Sequence, residues 1–273
     1  MMPVCEILAI GNELLQGDVL DTNTHWLIQQ ITAIGGFIGR TAMLRDDGAA
    51  IVGALQDARE RKVDLIITSG GLGPTDDDLT LEAVSVATGC PLELCPEARE
   101  MVAETYRVLA ARGLFPDADM TPAREKMARL PQGAIPLANS AGAAPGVLLS
   151  WENSRIVCLP GVPGELKAIY SESLRPILRG MFGESTFIEW CLTADCADES
   201  LLAPVLAAVQ RQHTEVYIKS RARRLGIDLT FDITLSCSGV EVDQLEAALR
   251  SAATELQAAL VGAGIPVLDI TQR

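Results

Sequence analysis

Histidine is nearly missing from this chain: 273 residues hold only two, His25 and His213. A Ser–His–Asp triad or a multi-histidine zinc site would need imidazoles that are not there. Positive charge is also short, with 22 Lys and Arg against 36 Asp and Glu and a net charge of −14. General affinity for nucleic-acid phosphates is therefore not expected. No apolar run approaches the length of a membrane span. The opening MMPVCEILAIG has no basic segment before its apolar run and carries Glu6 inside it, so it reads as a first buried strand and not as a leader peptide. Tight zinc-knuckle spacings are absent too. The seven cysteines, an odd number, suit a reducing cytosol and the interior of a core, and a cytoplasmic location is expected. Any metal used here must be held by oxygen, which favours magnesium or manganese.

What the chain does have is 48% hydrophobic residues in an ordered alternation. VCEILAIG (4–11) and VDLIITS (63–69) are continuous apolar runs, as strands buried on both faces are. Between them the spacing predicts a helix over 24–34, a strand over 37–43 and a helix over 49–62. Further helices are expected over 79–88, 96–112, 121–129 and 164–182, with a strand pair at 147–151 and 155–159. This is an α/β pattern: a mostly parallel sheet sandwiched by helices over residues 1–183. From 184 to 273 the order becomes βαββα, a second, smaller α+β domain with the element order of a KH-like unit but without its GxxG clamp. Lys219, Arg221, Arg223 and Arg224 fall at the turn between its last two predicted strands and read as a solvated charge run.

One stretch, TSGGLGPTDDDLT (68–80), carries chemistry. Glycines after an apolar strand and before a helix let backbone N–H groups approach an anion. The turn is neither a dinucleotide fingerprint, since Asp76 stands where a third glycine is needed, nor a P-loop, since no Gly-Lys-Ser/Thr follows. Asp76, Asp77 and Asp78 would repel the anion that the glycines invite, and helix capping, expected from Asp77 or Asp78, accounts for only one of them. Glu13 follows the first strand and Asp46-Asp47 the second. In a parallel sheet these points share the carboxyl edge, where ligands of open α/β sheets bind. Carboxylates converging beside an anion cradle form a metal–phosphate arrangement. Two more turns, ANSAGAAPG (138–146) and LPGVPGE (159–165), adjoin predicted strands. The first is not a nucleophile elbow, because Ala138 occupies the first glycine position and no suitable histidine is evident.

The motifs GNELLQG (11–17), DTNTHWL (21–27), RDDGAAIVGAL (45–55), GGLGPTDDDLT (70–80), NSAGAAPG (139–146) and LPGVPGELKAIY (159–170) occur in this order. In this the chain resembles the CinA (competence/damage-inducible protein A) family over almost its whole length. The resemblance implies a first domain of the molybdopterin-binding (molybdenum cofactor biosynthesis) fold. The implied activity is ADP-ribose pyrophosphatase, yielding AMP and ribose 5-phosphate with a divalent metal (Mg, Mn or Co) and potassium. It also implies a homodimer joined partly through the small domain. The family's C-terminal nicotinamide mononucleotide deamidase activity is expected to be absent from these 273 residues. The chain departs from the family pattern at Asn12, where aspartate is usual, and at AREKMA (123–128), where an Asn and a Gln are usual.

On this resemblance Gly70, Gly71 and Gly73 hold the diphosphate through their N–H groups, and Thr75 adds a hydroxyl. Asp78 holds the metal with Asp46 or Asp77, and Asp47 or Glu13 acts as general base. Asn139, Gly142, Gly146 and the turn from Gly161 through Pro163 to Glu165 shape the nucleoside or ribose end. Three other readings are a molybdopterin enzyme of adenylyl transfer or metal insertion, a non-catalytic nucleotide sensor or scaffold, and a hydrolase of another dinucleotide such as FAD.

Overall fold

The structure, a computed structural model, describes residues 3–183, 186–225 and 228–272. Two compact units emerge: Met1–Thr32 with Gly36–Phe182, and Gly183–Arg273 with Ala33–Gly35. Among the described residues no helix is long and apolar enough to cross a membrane.

The first unit runs β1 (Val4–Ile10), α1 (Asn12–Gln16), α2 (Thr22–Ala33), β2 (Phe37–Leu44), α3 (Gly48–Glu60), β3 (Leu65–Ser69), α4 (Thr80–Thr88) and β4 (Leu92–Leu94). It continues with α5 (Pro96–Ala111), α6 (Pro122–Lys126), β5 (Arg129–Pro131), β6 (Ile135–Leu137), β7 (Gly146–Trp151), β8 (Ser154–Leu159) and α7 (Pro163–Ile169). A π-helical turn at Tyr170–Leu174 leads into α8 (Arg175–Phe182), so that 163–182 is one helical run. The main sheet has the order β2-β1-β3-β8-β7-β6. Its first four strands are parallel, while β7 and β6 join antiparallel at one edge. The chain leaves β1 for β2 on one side and returns for β3 on the other. That reversal opens a crevice at the carboxyl ends of β1 and β3.

Burial explains the apolar runs. All of β3 is buried, as is β1 from Cys5 onward, whereas β2, at the sheet edge, is largely exposed. Ile51, Leu55 and Ala58 of α3 pack with Leu8, Ile10 and Ile66 in the core. Among the described residues one charged side chain of the sheet is buried: Glu6 of β1, 2% exposed. Arg61, just beyond α3, meets it with both arms of its guanidinium, Nε to Oε1 at 2.7 Å and Nη2 to Oε2 at 2.8 Å. This is the bidentate fork that satisfies both oxygens of a buried carboxyl group. Cys5 and Cys158 lie in the same central strands. Burial pushes the Cys158 thiol pKa up to about 12 and raises that of Cys5, where the Glu6 charge adds to the effect.

Several expectations shift. The helix expected over 121–129 stops at Lys126, because Arg129–Pro131 pairs with Leu92–Leu94 as a small ribbon. Neither Asp77 nor Asp78 caps α4: Leu79 holds the cap position and makes no side-chain cap bond.

The second unit is β9 (Thr186–Asp195), α9 (Glu199–Gln212), β10 (Tyr217–Leu225), β11 (Asp228–Gly239), α10 (Val242–Gly262) and β12 (Val267–Gln272). The sheet order is β10-β11-β9-β12, all antiparallel. Leu192, Ile233 and Leu235 pack with Leu202 of α9 and with Leu249 and Leu256 of α10. The expected βαββα order thus gains a final edge strand. Lys219 and Arg221 do not sit in a turn: they are exposed positions two residues apart within β10.

Candidate active site

The glycine turn is built by what surrounds it. Gly70 has φ +115°, and a Cβ there would lie 2.0 Å from the carbonyl oxygen of Ile10, at the end of β1. Gly71 has φ +69°, and its Cβ would meet the Thr80 hydroxyl at 2.3 Å. Only glycine suits both positions. Thr80, fully buried at the start of α4, pins the turn: its hydroxyl donates to the Gly70 carbonyl at 2.8 Å and its N–H to the Gly71 carbonyl at 3.2 Å. The Gly70 N–H does not face a ligand as expected, because it donates to the Leu159 carbonyl at 2.9 Å. The N–H groups of Gly71 and Gly73 have no partner among the described residues, and both glycines border an open cleft of about 630 Å³. That volume suits a nucleotide-sized ligand.

The acidic side chains fall into three groups. Asp77 and Asp78 both accept from the Thr75 hydroxyl, and the Thr75 N–H donates to Asp78 Oδ2 at 2.9 Å. One hydroxyl carries one proton, so it serves only one carboxylate at a time. Lys126 Nζ donates to the Thr75 carbonyl. The Thr75 hydroxyl, the Asp77 backbone and the Lys126 charge together hold the Asp77 carboxyl below the usual carboxylate range. Asp46 stands apart, accepting from the Asn12 N–H at 2.8 Å. The departure at position 12 therefore leaves this contact intact, since it is made by backbone. Glu13, in the first turn of α1, presses against Gly11, where a Cβ would lie 2.4 Å from Glu13 Oε1.

Glu165, in the first turn of α7, also lines the cleft and accepts from Asn139 Nδ2 at 2.7 Å. The same amide donates to the Ala144 carbonyl at 2.8 Å. Gly142 leaves room for this carboxyl: a Cβ there would sit 2.2 Å from Glu165 Cδ.

Of the expected residues, Glu13, Asp46, Gly70, Gly71, Gly73, Asp77, Asp78, Gly161, Pro163 and Glu165 line the cleft. Five do not. Asp47 is turned to its own helix, where Oδ1 accepts from the Ala50 N–H at 2.9 Å and caps α3, so it is not placed as a base. The Thr75 hydroxyl is occupied by the two aspartates. Asn139 and Gly142 act through Glu165, and Gly146 is a buried strand residue packed against Ile169 and Leu137. Sequence reasoning missed Tyr106 and Met127, which line the cleft, and Thr80, Lys126 and Asn23, which support it. Asn23 Nδ2 bonds Ser69 Oγ at 3.1 Å and the Gly161 carbonyl at 2.8 Å, tying β3 to the second turn.

Of the two partners expected for Asp78 at a metal, Asp77 shares the Thr75 hydroxyl with it and Asp46 stands apart on the Asn12 N–H. Among the described residues no three Asp, Glu, His or Cys groups come close enough to hold a metal. The Asp77–Asp78 pair fits a hard cation that arrives on a diphosphate and completes its shell with phosphate oxygens and water, as magnesium commonly does.

The hydrogen bond to Asp77 gives a direct test. Thr75→Val removes the hydroxyl and should raise the Asp77 pKa toward about 3.9, the value for unperturbed aspartate. The low folded-state value stabilises the native chain above the unfolded pKa, and that contribution fades as pH falls through the folded pKa. Carboxyl NMR titration should therefore show Asp77 protonating at higher pH in the variant than in the parent; identical midpoints would remove Thr75 as the cause.

An open, largely parallel sheet with a glycine turn and carboxylates along its carboxyl rim defines an α/β ligand-binding domain. Residues 6–180 match the family described as a probable molybdopterin binding domain. A protein of Pyrococcus abyssi is 42% identical over 207 residues, covering 76% of this chain and 81% of its own. A protein of Pyrobaculum calidifontis is 38% identical over 256 residues, 93% of this chain and 95% of its own. The crystal structure of the protein CinA from Thermoplasma acidophilum is 32% identical with a TM-score of 0.58, covering 64% of this chain and 98% of that one. The chain belongs to the probable molybdopterin binding domain family, in a CinA-like form.

Proposed function

We propose that the first unit hydrolyses the diphosphate bond of ADP-ribose, releasing AMP and ribose 5-phosphate. The observation that carries this reading is the unpartnered Gly71 and Gly73 N–H pair beside Asp77 and Asp78. Amides alone would mark a site for any anion, and carboxylates alone would repel one. Together they suit an anion that brings its own cation.

The residues then divide the work. Gly71 and Gly73 donate to non-bridging phosphate oxygens and fix the anhydride across the crevice. Asp78, oriented by the Thr75 N–H, and Asp77 would hold the divalent cation. Magnesium, manganese or cobalt would offset charge on the phosphoryl oxygens and acidify water at the site. Water attacks one phosphorus, the bridging P–O bond breaks, and the displaced phosphate leaves on its nucleoside or ribose. Glu13, which lines the cleft just past β1, takes the water's proton in this reading. Glu165, braced by Asn139, accepts hydrogen bonds from hydroxyls of the ligand.

The test is AMP release from ADP-ribose with each of the three metals in potassium buffer. Asp78→Asn should lower turnover on the order of 100-fold or more, with the unfolding temperature little changed, since asparagine still offers an oxygen to the Thr75 N–H. No AMP release by the parent chain under any of these conditions would overturn the reading.

Membership of a molybdopterin binding family supports a second reading, an enzyme of adenylyl transfer or metal insertion on molybdopterin. Incubation with ATP and molybdopterin in the same assay separates the two. Binding without turnover of either would leave a nucleotide sensor.

A further inference from the structure

We infer that Tyr106 is the surface on which the base of a nucleotide ligand stacks, with Arg124 bracing the ring. This rests on the ligand's being a nucleotide, as proposed above, and assigns the part of the cleft lining that its base meets.

The lining of the cleft mixes two chemistries: carboxylates and backbone amides from the strand ends, and an apolar group of Tyr106 of α5 with Met127, Ala143 and Ala144. Tyr106 is the one aromatic residue lining the cleft among the described residues, in a chain whose aromatic content is only 4%. A phosphate gains nothing from this wall, but a planar heteroaromatic ring can stack on it.

The ring is held in a way that ordinary packing does not require. The guanidinium carbon of Arg124 lies 3.9 Å from its centroid, and Arg124 is not among the residues that line the cleft. The Arg124 side chain is only 12% exposed. Its Nη1 donates to the Asp117 carboxylate at 3.1 Å and to the Asp119 carbonyl at 2.6 Å. Phe115 meets the ring edge-on, with centroids 5.4 Å apart and planes at 77°. The cation faces the ring's π-cloud on one side and the edge contact fixes its tilt. A ring set in place before the ligand arrives loses little freedom when a base stacks on it.

This also explains the stretch that departs from the family pattern. Of AREKMA (123–128), Arg124 braces the ring, Lys126 bonds the Thr75 carbonyl and Met127 lines the cleft. The substituted segment is built into the site.

The experiment is calorimetric titration of the full chain with AMP, ribose 5-phosphate and inorganic pyrophosphate, each alone. Tyr106→Ala should weaken AMP binding roughly ten- to a hundred-fold, the range that loss of one base–aromatic stack produces. Its affinity for ribose 5-phosphate and pyrophosphate should stay within about two-fold. Tyr106→Phe keeps the ring and should keep AMP affinity. Equal weakening of all three ligands, or unchanged AMP binding in Tyr106→Ala, overturns the assignment, as does a parent chain that fails to bind AMP. A Tyr106→Ala chain that does not fold shifts the decision to Tyr106→Phe and Arg124→Met: loss of AMP binding in the former, or an equal loss for all ligands in the latter, counts against it. AMP binding is read without turnover, so absence of ADP-ribose hydrolysis would defeat the pyrophosphatase reading and leave this one standing.

Discussion

Gly70→Ala is expected to abolish detectable AMP release and to destabilise the first unit by at least ~2 kcal/mol. Two independent obstacles meet at this residue. Its φ of +115° lies where side chains are strained, and the added carbon would sit 2.0 Å from the Ile10 carbonyl oxygen. That oxygen belongs to the backbone ending β1, so no side chain can swing aside. The turn must move, and it carries the Gly71 and Gly73 amides with it. Displacement of about 1 Å at a phosphate-binding turn is enough to cost orders of magnitude in rate. Gly53→Ala is the control. Gly53 lies mid-helix in α3 with open space around its missing Cβ, and the change should stabilise by roughly 0.5–1 kcal/mol. Urea unfolding with the AMP assay reads both. Near-normal turnover in Gly70→Ala would mean that the turn does not hold the substrate.

Arg61→Met should be the most damaging change away from the cleft, at about 3 kcal/mol. The reason is asymmetric burial: the Glu6 side chain is 3% exposed and that of Arg61 39%. Removing the arginine leaves a buried carboxyl group inside a parallel sheet with its bidentate partner gone. Removing both groups is a different matter. The double change Glu6→Leu with Arg61→Met deletes the buried carboxyl group as well as its partner and should restore most of the loss. Midpoints of urea unfolding for the two single variants and the double variant test this through the coupling energy. A double variant as unstable as Arg61→Met alone would show that shape, and not charge, governs the position.

How far the sequence exposes this arrangement depends on how local the signal is. The central strands are legible because β1 and β3 are continuous apolar runs, and α3 because Ile51, Leu55 and Ala58 recur at helical spacing. β4, β5 and β6 are not, since strands of three residues carry no periodicity to read, and Pro131 and Pro136 mask the last two further. The glycines and carboxylates at the strand ends are visible because topology places every such end on one rim. Side-chain direction is not: Asp47 turns to cap α3, while Asp78 folds back onto Thr75 instead of starting α4. Tyr106 is hidden for a different reason. It lies mid-helix, more than thirty residues past the glycine turn, and α5 gives no local sign of which face borders a cleft. Thr80 looks like an ordinary first-turn residue until its bond to Gly70 is seen.

The two buried thiols of the central strands have a practical consequence. Cys5 sits between β2 and β3 and Cys158 between β3 and β7, and neither side chain meets water in the folded chain. Their raised pKa values leave almost no thiolate to react. An alkylating reagent added to the native protein must therefore wait for the sheet to come apart, whereas the partly exposed Cys90 and Cys95 do not impose that wait. Labelling at Cys5 and Cys158 is a clock for whole-unit opening, supplied by the chain itself and needing no engineered probe.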